Sequence, residues 1–210
     1  LPLLNNIPPL SASFNLECKV DYLNEPRQTS LDACFASSQY KIAIECKFTE
    51  QDVGNCSRPK LSIKNSNYNI DHCNGTYSIQ KIRKTRCSLT EIGVSYWKYI
   101  PGLFNWNNGV NHQPCPLYST YQLVRNILSA CVKPNGKISD SYGHALLIYD
   151  DRNPSFQNNG KINIAYNATA NALNNKMLLR KCSWQKILNQ LRTDPGLNWL
   201  TDEVKLKYGL

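Results

Sequence analysis

The chain has one methionine, three histidines and ten glycines in 210 residues. It has no uninterrupted apolar run near the ~20 residues that a membrane-crossing helix needs. Mean hydropathy is -0.46, so a protein built on transmembrane helices is excluded. Also missing are G-x-G-x-x-G, the phosphate-cradling Walker loop, H-E-x-x-H and G-x-S-x-G, which removes the usual sequence signs of dinucleotide binding, P-loop hydrolysis, zinc proteolysis and serine-esterase chemistry. No C-x-x-C pair, repeat or low-complexity tract stands out. Acidic residues are scarce: 15 against 24 Lys plus Arg, for a net charge of +9. An excess of that sign favours a polyanionic partner.

Hydrophobic residues reach 41% and aromatics 10%, enough to bury a core in one domain of ordinary size. Nine cysteines are present, an odd number that forbids complete internal pairing. Their wide spacing differs from that of a small secreted disulfide scaffold. The sequons at Asn55, Asn74 and Asn167 matter only after secretion, and three are unsurprising among 25 asparagines. Leu1 to Leu10 is apolar but has prolines and no basic leader. A reducing cytoplasm is therefore the expected compartment.

Three domain parts are expected: an irregular lead-in over 1–13, a folded unit over 14–193 with a polar insertion around 50–87, and a tail or short helix over 194–210. Phe14, Leu16, Cys18 and Val20 alternate with polar residues and predict a strand over 14–20. Residues 30–36 and 40–48 predict two more, close enough to form a hairpin. Ile42, Ile44, Cys46 and Phe48 share one face of the second, and Ala43, Glu45 and Lys47 the other. S-L-T-E at 88–91 matches a capping box and predicts a helix from Ser88 to before Pro101. The apolar stripe of Leu117, Tyr121, Val124 and Leu128 predicts a helix over 117–132. HALLIY at 144–149 and KINIAY at 161–166 read as strands, and 167–180 leans towards helix. Ser183 can cap a helix over 184–193, and one more helix is expected near 201–207. This order of elements implies a mixed α/β or α+β unit.

Asp32 followed by Glu45-Cys46-Lys47 is the pattern that carries chemistry. Glu45 and Lys47 project from one side of their strand, and a hairpin would bring Asp32 beside them. Two carboxylates could converge on a hard divalent ion such as Mg²⁺, with the backbone carbonyl of Cys46 as a third ligand. Lys47 could orient or deprotonate a water for attack on phosphorus. Other E-x-K triplets, at Glu17-Cys18-Lys19 and Glu203-Val204-Lys205, lack an upstream aspartate or a flanking apolar strand. The same pattern also describes the wet face of an amphipathic strand, in which Glu45 and Lys47 would be solvated.

The stretch SLDACFASSQYKIAIECKFTEQ resembles the core of the PD-(D/E)XK nuclease superfamily, and more narrowly a bacterial restriction-endonuclease-like branch. The matching elements are Leu31-Asp32-Ala33 and Ile44-Glu45-Cys46-Lys47-Phe48-Thr49-Glu50. Further on, Tyr121 to Asn126 resembles the branch's QL-x-R helix, HALLIYDDRNPSF its following strand and loop, and SWQKIL its late tryptophan-containing helix. The pattern departs from the family in lacking a literal Pro-Asp pair and an obvious helix before residue 14. The resemblance implies a central mixed sheet flanked by helices and Mg²⁺-dependent hydrolysis of DNA, with Mn²⁺ as a substitute. Carried over by position, Asp32 and Glu45 become metal ligands and Lys47 the catalytic lysine. Glu17 is an additional acid, or else a solvated strand residue. Gln122 is a site glutamine, or else a polar helix flank. Arg125, on the same helix face as Gln122, reaches phosphate or pairs with an acid. Double-stranded DNA is the implied partner, and a homodimer would suit cleavage of both strands.

Lys81, Arg83, Lys84 and Arg86 form a basic run suited to phosphates or simply to solvent, which Lys41, Lys60 and Lys64 would extend. Trp97, Tyr99, Trp106 and Tyr118 serve packing, or stacking on unpaired bases. Cys56, His72, Cys73, Cys87, His112 and Cys115 carry zinc-binding chemistry, but at irregular spacings without paired knuckles, so structural Zn²⁺ is not expected. Asp150 and Asp151 cap a loop or pair with Arg152. Two further readings remain: a nucleic-acid-binding nuclease relative without turnover, and a secreted disulfide-bonded protein.

Overall fold

A computed structural model describes residues 12–66, 68, 73, 75, 87–106 and 114–210. Among these, five strands form one sheet in the order β1 (Ser13–Val20), β2 (Thr29–Ala36), β3 (Lys41–Lys47), β4 (Gly143–Tyr149) and β5 (Leu179–Ser183). β1–β2 and β2–β3 pair antiparallel, and β3–β4 and β4–β5 pair in parallel. The β2–β3 turn is set by Ser37, whose hydroxyl accepts from the backbone N–H groups of Gln39 and Tyr40 at 3.2 and 3.0 Å. This is the mixed sheet with flanking helices that the sequence implies.

Six α-helices flank the sheet among the described residues. They are α1 (Ser88–Glu91), α2 (Tyr96–Leu103), α3 (Leu117–Cys131), α4 (Lys161–Ala172), α5 (Trp184–Leu191) and α6 (Asn198–Tyr208). One sheet face packs Cys34, Ala43, Ala145 and Leu147 against α2, α3 and α4 through Ile100, Leu123, Val124, Ile127 and Ile162. The other packs Ala33, Ile42, Ile44, Leu146 and Ile148 against Trp184 and Ile187 of α5. β3 and β4 are therefore covered on both faces, as central strands of α/β sheets are. No helix among the described residues is long and apolar enough to cross a membrane.

Three local expectations are corrected. The single helix from Ser88 is two short ones, separated where Gly93 adopts a left-handed φ of 93°. Cys87, not Ser88, holds the cap position, and Pro101 lies inside α2. KINIAY is not a strand but opens α4, whose buried residues Ile162, Ala165, Thr169 and Ala172 follow helical spacing while Ile164 is exposed. The stretch 167–180, expected to lean helical throughout, ends as β5, whose parallel pairing to β4 overrides its charged Arg180 and Lys181. Elsewhere Ser183 caps α5 as anticipated, accepting from the Lys186 N–H at 3.2 Å. A disulfide joins Cys18 to Cys34 across β1 and β2, with Cα atoms 6.0 Å apart. The other seven cysteines are free.

Candidate active site

The β2–β3 ladder pairs Cys34 with Ala43 and Ala33 with Ile44, and its hydrogen-bonded register stops there. One step further the same register sets Asp32 against Glu45. Strand alternation gives both the sheet face that carries Cys34 and Ala43. At this row Asp32 Oδ2 accepts the backbone N–H of Cys46 at 2.7 Å. The aspartate thus takes over a donor of β3 where the ladder opens. Asp32 itself is exposed.

Glu45 and Lys47 are buried, at 5% and 8% exposure, because α3 covers their face. The wet-strand reading is therefore corrected: solvent does not line this face. Lys47 Nζ lies 3.0 Å from Glu45 Oε1. Gln122 Nε2 donates to the same oxygen, and Asn126 Nδ2 donates to Glu45 Oε2 at 3.1 Å. Gln122 and Asn126 are one helical turn apart on α3, so one face of that helix presents two amides to one carboxylate. Removing either member of such a buried ion pair strands the other, at a cost of about 3–5 kcal/mol.

The segment after β3 closes over this arrangement. Asn153 Nδ2 donates to the carbonyls of Phe48 and Glu50, both at 2.9 Å, and the Glu50 carboxylate accepts the Phe48 N–H at 2.7 Å. Gly54, at φ 72°, passes so close to Gln122 that an added Cβ would stand 3.2 Å from the glutamine Cβ. An open groove of about 620 Å³ starts at Phe48 and Thr49 and runs along Asp150, Arg152, Asn153 and Lys161. Asp150 is engaged by Arg152 and by Gln185, at 2.6 and 2.7 Å. The Arg152 guanidinium holds the Asp150 carboxyl down at about 2.

Glu17 continues the same row on β1, since Leu16 pairs with Ala33 and Cys18 with Leu31. Its φ is 50°, a left-handed conformation costing about 1–3 kcal/mol at a non-glycine residue. Its carboxylate accepts from the Ser30 hydroxyl at 2.8 Å. No three Asp, Glu, His or Cys side chains among the described residues stand ready to hold a metal ion, so Glu17 is not gathered into one cluster with Asp32 and Glu45. The Cys46 side chain packs with the α5-side core. Burial pushes its thiol up to about 12, which leaves only its backbone carbonyl as an oxygen donor to a hard ion. Half-buried Arg125 donates from Nε to Asn126 Oδ1 at 3.4 Å.

Lys81, Arg83, Lys84 and Arg86 lie outside the described residues, as do His72 and His112. Lys41 does not extend a basic surface. It is buried, donates to the Tyr22 hydroxyl at 2.9 Å, and is pulled down to about 8 by burial. Trp97 and Tyr99 are core residues, which removes them from base stacking. Asn126 and Asn153 are the site residues that sequence reasoning missed. Asn126 had a signal, its four-residue step from Gln122, whereas Asn153 acts across more than a hundred residues and had none.

No curated protein and no solved structure matches the chain. One family profile does, over residues 15–209, and it takes in the sheet, the α3 amides and the C-terminal helices together. The chain belongs to the REase-ARP family, described as Restriction Endonuclease associating with ARP.

Proposed function

We propose that this protein is a metal-dependent endonuclease that hydrolyses phosphodiester bonds in DNA. The observation that carries the reading is the Glu45–Lys47 pair, buried under α3 beside the point where Asp32 opens the β2–β3 ladder. Burying a carboxylate with three donors around it costs more than packing apolar side chains there, so its presence calls for a role beyond packing.

The donor set suits Mg²⁺. Asp32 and Glu45 offer hard oxygens, the Cys46 carbonyl a third, and an ion held by so few protein ligands keeps several waters. Such an ion supplies positive charge to the phosphoryl and leaving oxygens. Lys47, charged in its pair with Glu45, would orient the attacking water and offset the charge developing on the phosphoryl oxygens, the water's proton passing to solvent, and Gln122 and Asn126 fix the Glu45 carboxylate that would hold the ion. In this reading Glu17 would serve as a further acid and Arg125 as a phosphate contact. Lys81, Arg83, Lys84 and Arg86 add contacts to the DNA backbone. Double-stranded DNA is the substrate class this reading takes, with a homodimer as the assembly for two-strand cleavage and a bacterial cytoplasm as the compartment.

The test is cleavage of a double-stranded substrate with Mg²⁺ or Mn²⁺. Lys47→Met should lower the rate about 10²–10³-fold, the usual worth of one donor aimed at developing charge. Asp32→Ala should abolish metal-dependent cleavage while leaving circular dichroism unchanged, since Asp32 is exposed. Clean wild-type protein that binds DNA but cleaves with neither metal would replace this reading with a binding role.

A further inference from the structure

Cys56, Cys73, Cys87 and Cys115 come from four separate stretches of chain, yet all line one small cavity together with Arg58, Leu89, Leu117 and Tyr118. The stretches are tied to one another by their backbones. The Cys56 N–H donates to the Tyr118 carbonyl at 3.0 Å, and the Cys115 N–H to the Gly75 carbonyl at 2.6 Å. The Gly75 N–H donates to Cys73 Sγ at 3.3 Å. A backbone donor turned onto a sulfur stabilises negative charge there, and four free thiols from four stretches of chain meeting on one cavity are not expected of inert core cysteines.

We propose that these four cysteines form a structural tetrathiolate zinc site. Soft sulfur donors in a set of four match the closed tetrahedral coordination of Zn²⁺. The four thiols are free while Cys18 and Cys34 are bonded to each other. Their sulfurs line the cavity without being drawn to a common centre, so uptake draws them inward by side-chain rotation and releases the thiol protons. The irregular spacing that argued against zinc in the sequence reflects four loops meeting in space rather than two knuckles. The site does mechanical work near Glu45: Cys56 follows the Gly54 turn that rests on Gln122, and Cys115 precedes the first turn of α3. Zinc binding at these cysteines does not depend on whether the protein cleaves DNA.

The experiment is metal analysis of the full chain purified under reducing conditions with zinc in the medium, followed by cobalt replacement. About one zinc per chain is expected, and Co²⁺ added to the stripped wild-type protein should give sulfur-to-cobalt charge transfer with intense tetrahedral bands in the visible. Single Cys→Ser changes at 56, 73, 87 and 115 should each lower zinc content at least about tenfold, whereas Cys131→Ser and Cys182→Ser should leave it unchanged. Should those four variants not fold, the wild-type cobalt spectrum decides alone. Zinc-poor wild-type protein with an octahedral cobalt spectrum overturns the proposal. So does mass spectrometry that finds these cysteines paired as disulfides, or zinc content that all four variants retain.

Discussion

Asn126 sits between Glu45, to which its amide donates, and Arg125, from which its carbonyl oxygen accepts. At 2% exposure it has no water to fall back on. Asn126→Ala should therefore cost about 1–3 kcal/mol in denaturant unfolding and weaken metal binding about 10–100-fold through a looser Glu45. Unchanged stability would show that the amide contributes nothing. His144 provides a pH test of the core. It is fully buried against the Tyr40 hydroxyl at 2.9 Å, and burial, aided by Arg180, pulls its pKa down to about 3. The folded value lies below the unfolded one, so the stabilisation is complete above about pH 6.5 and is lost as pH falls from there towards about 3. By pH 5 the loss should reach about 2 kcal/mol. Denaturant midpoints at pH 7 and 5 should show His144→Gln losing that much less than wild type; equal losses contradict the account. At this scale Asp32, Glu45 and Lys47 were legible because strand alternation fixes which side chains share a face. Their burial was not, because the same alternation is what a solvated strand shows. Lys41 was misjudged for the same reason, since nothing local announces that α3 covers that face.

The joint between β3, β4 and α3 depends on one glycine. A Cβ on Gly143 would stand 2.2 Å from the Lys41 carbonyl and 2.6 Å from that of Ala130, both backbone atoms without freedom to retreat. Gly143→Ala should destabilise the protein by about 3 kcal/mol or more and separate α3 from β3, lowering cleavage along with thermal midpoint. A wild-type melting curve would contradict this packing. Long periodic elements were readable: α3 and β3 lie where their patterns put them, and Ser183 caps α5. Short ones were not. KINIAY alternates over six residues as a strand does, and only the burial of Ala165, Thr169 and Ala172 beyond it reveals the helix. β5 is five residues with two charges, held by its pairing to β4, a long-range cause that no window contains.

The whole molecule carries a net charge of +9, and its proposed partner is a polyanion. DNA affinity should fall linearly in a log–log plot against salt, with a slope of about 0.9 per phosphate neutralised. Replacing Lys81, Arg83, Lys84 and Arg86 by Ala should flatten that slope by about one for each phosphate that is no longer neutralised. An unchanged slope would remove the basic run from the interface. Fold class was legible at this scale from the order of elements. The convergence of four cysteines and the Cys18–Cys34 pair were not, because spacing along the chain does not report which loops meet. The central claim is that Asp32 and Glu45 share one divalent ion beside Lys47. A crystal soaked in Mn²⁺ and read by anomalous scattering tests it most directly. The account predicts a peak at coordination distance from both carboxylates, absent in Asp32→Ala; an ordered site without a peak there, or a peak bound elsewhere, would contradict it.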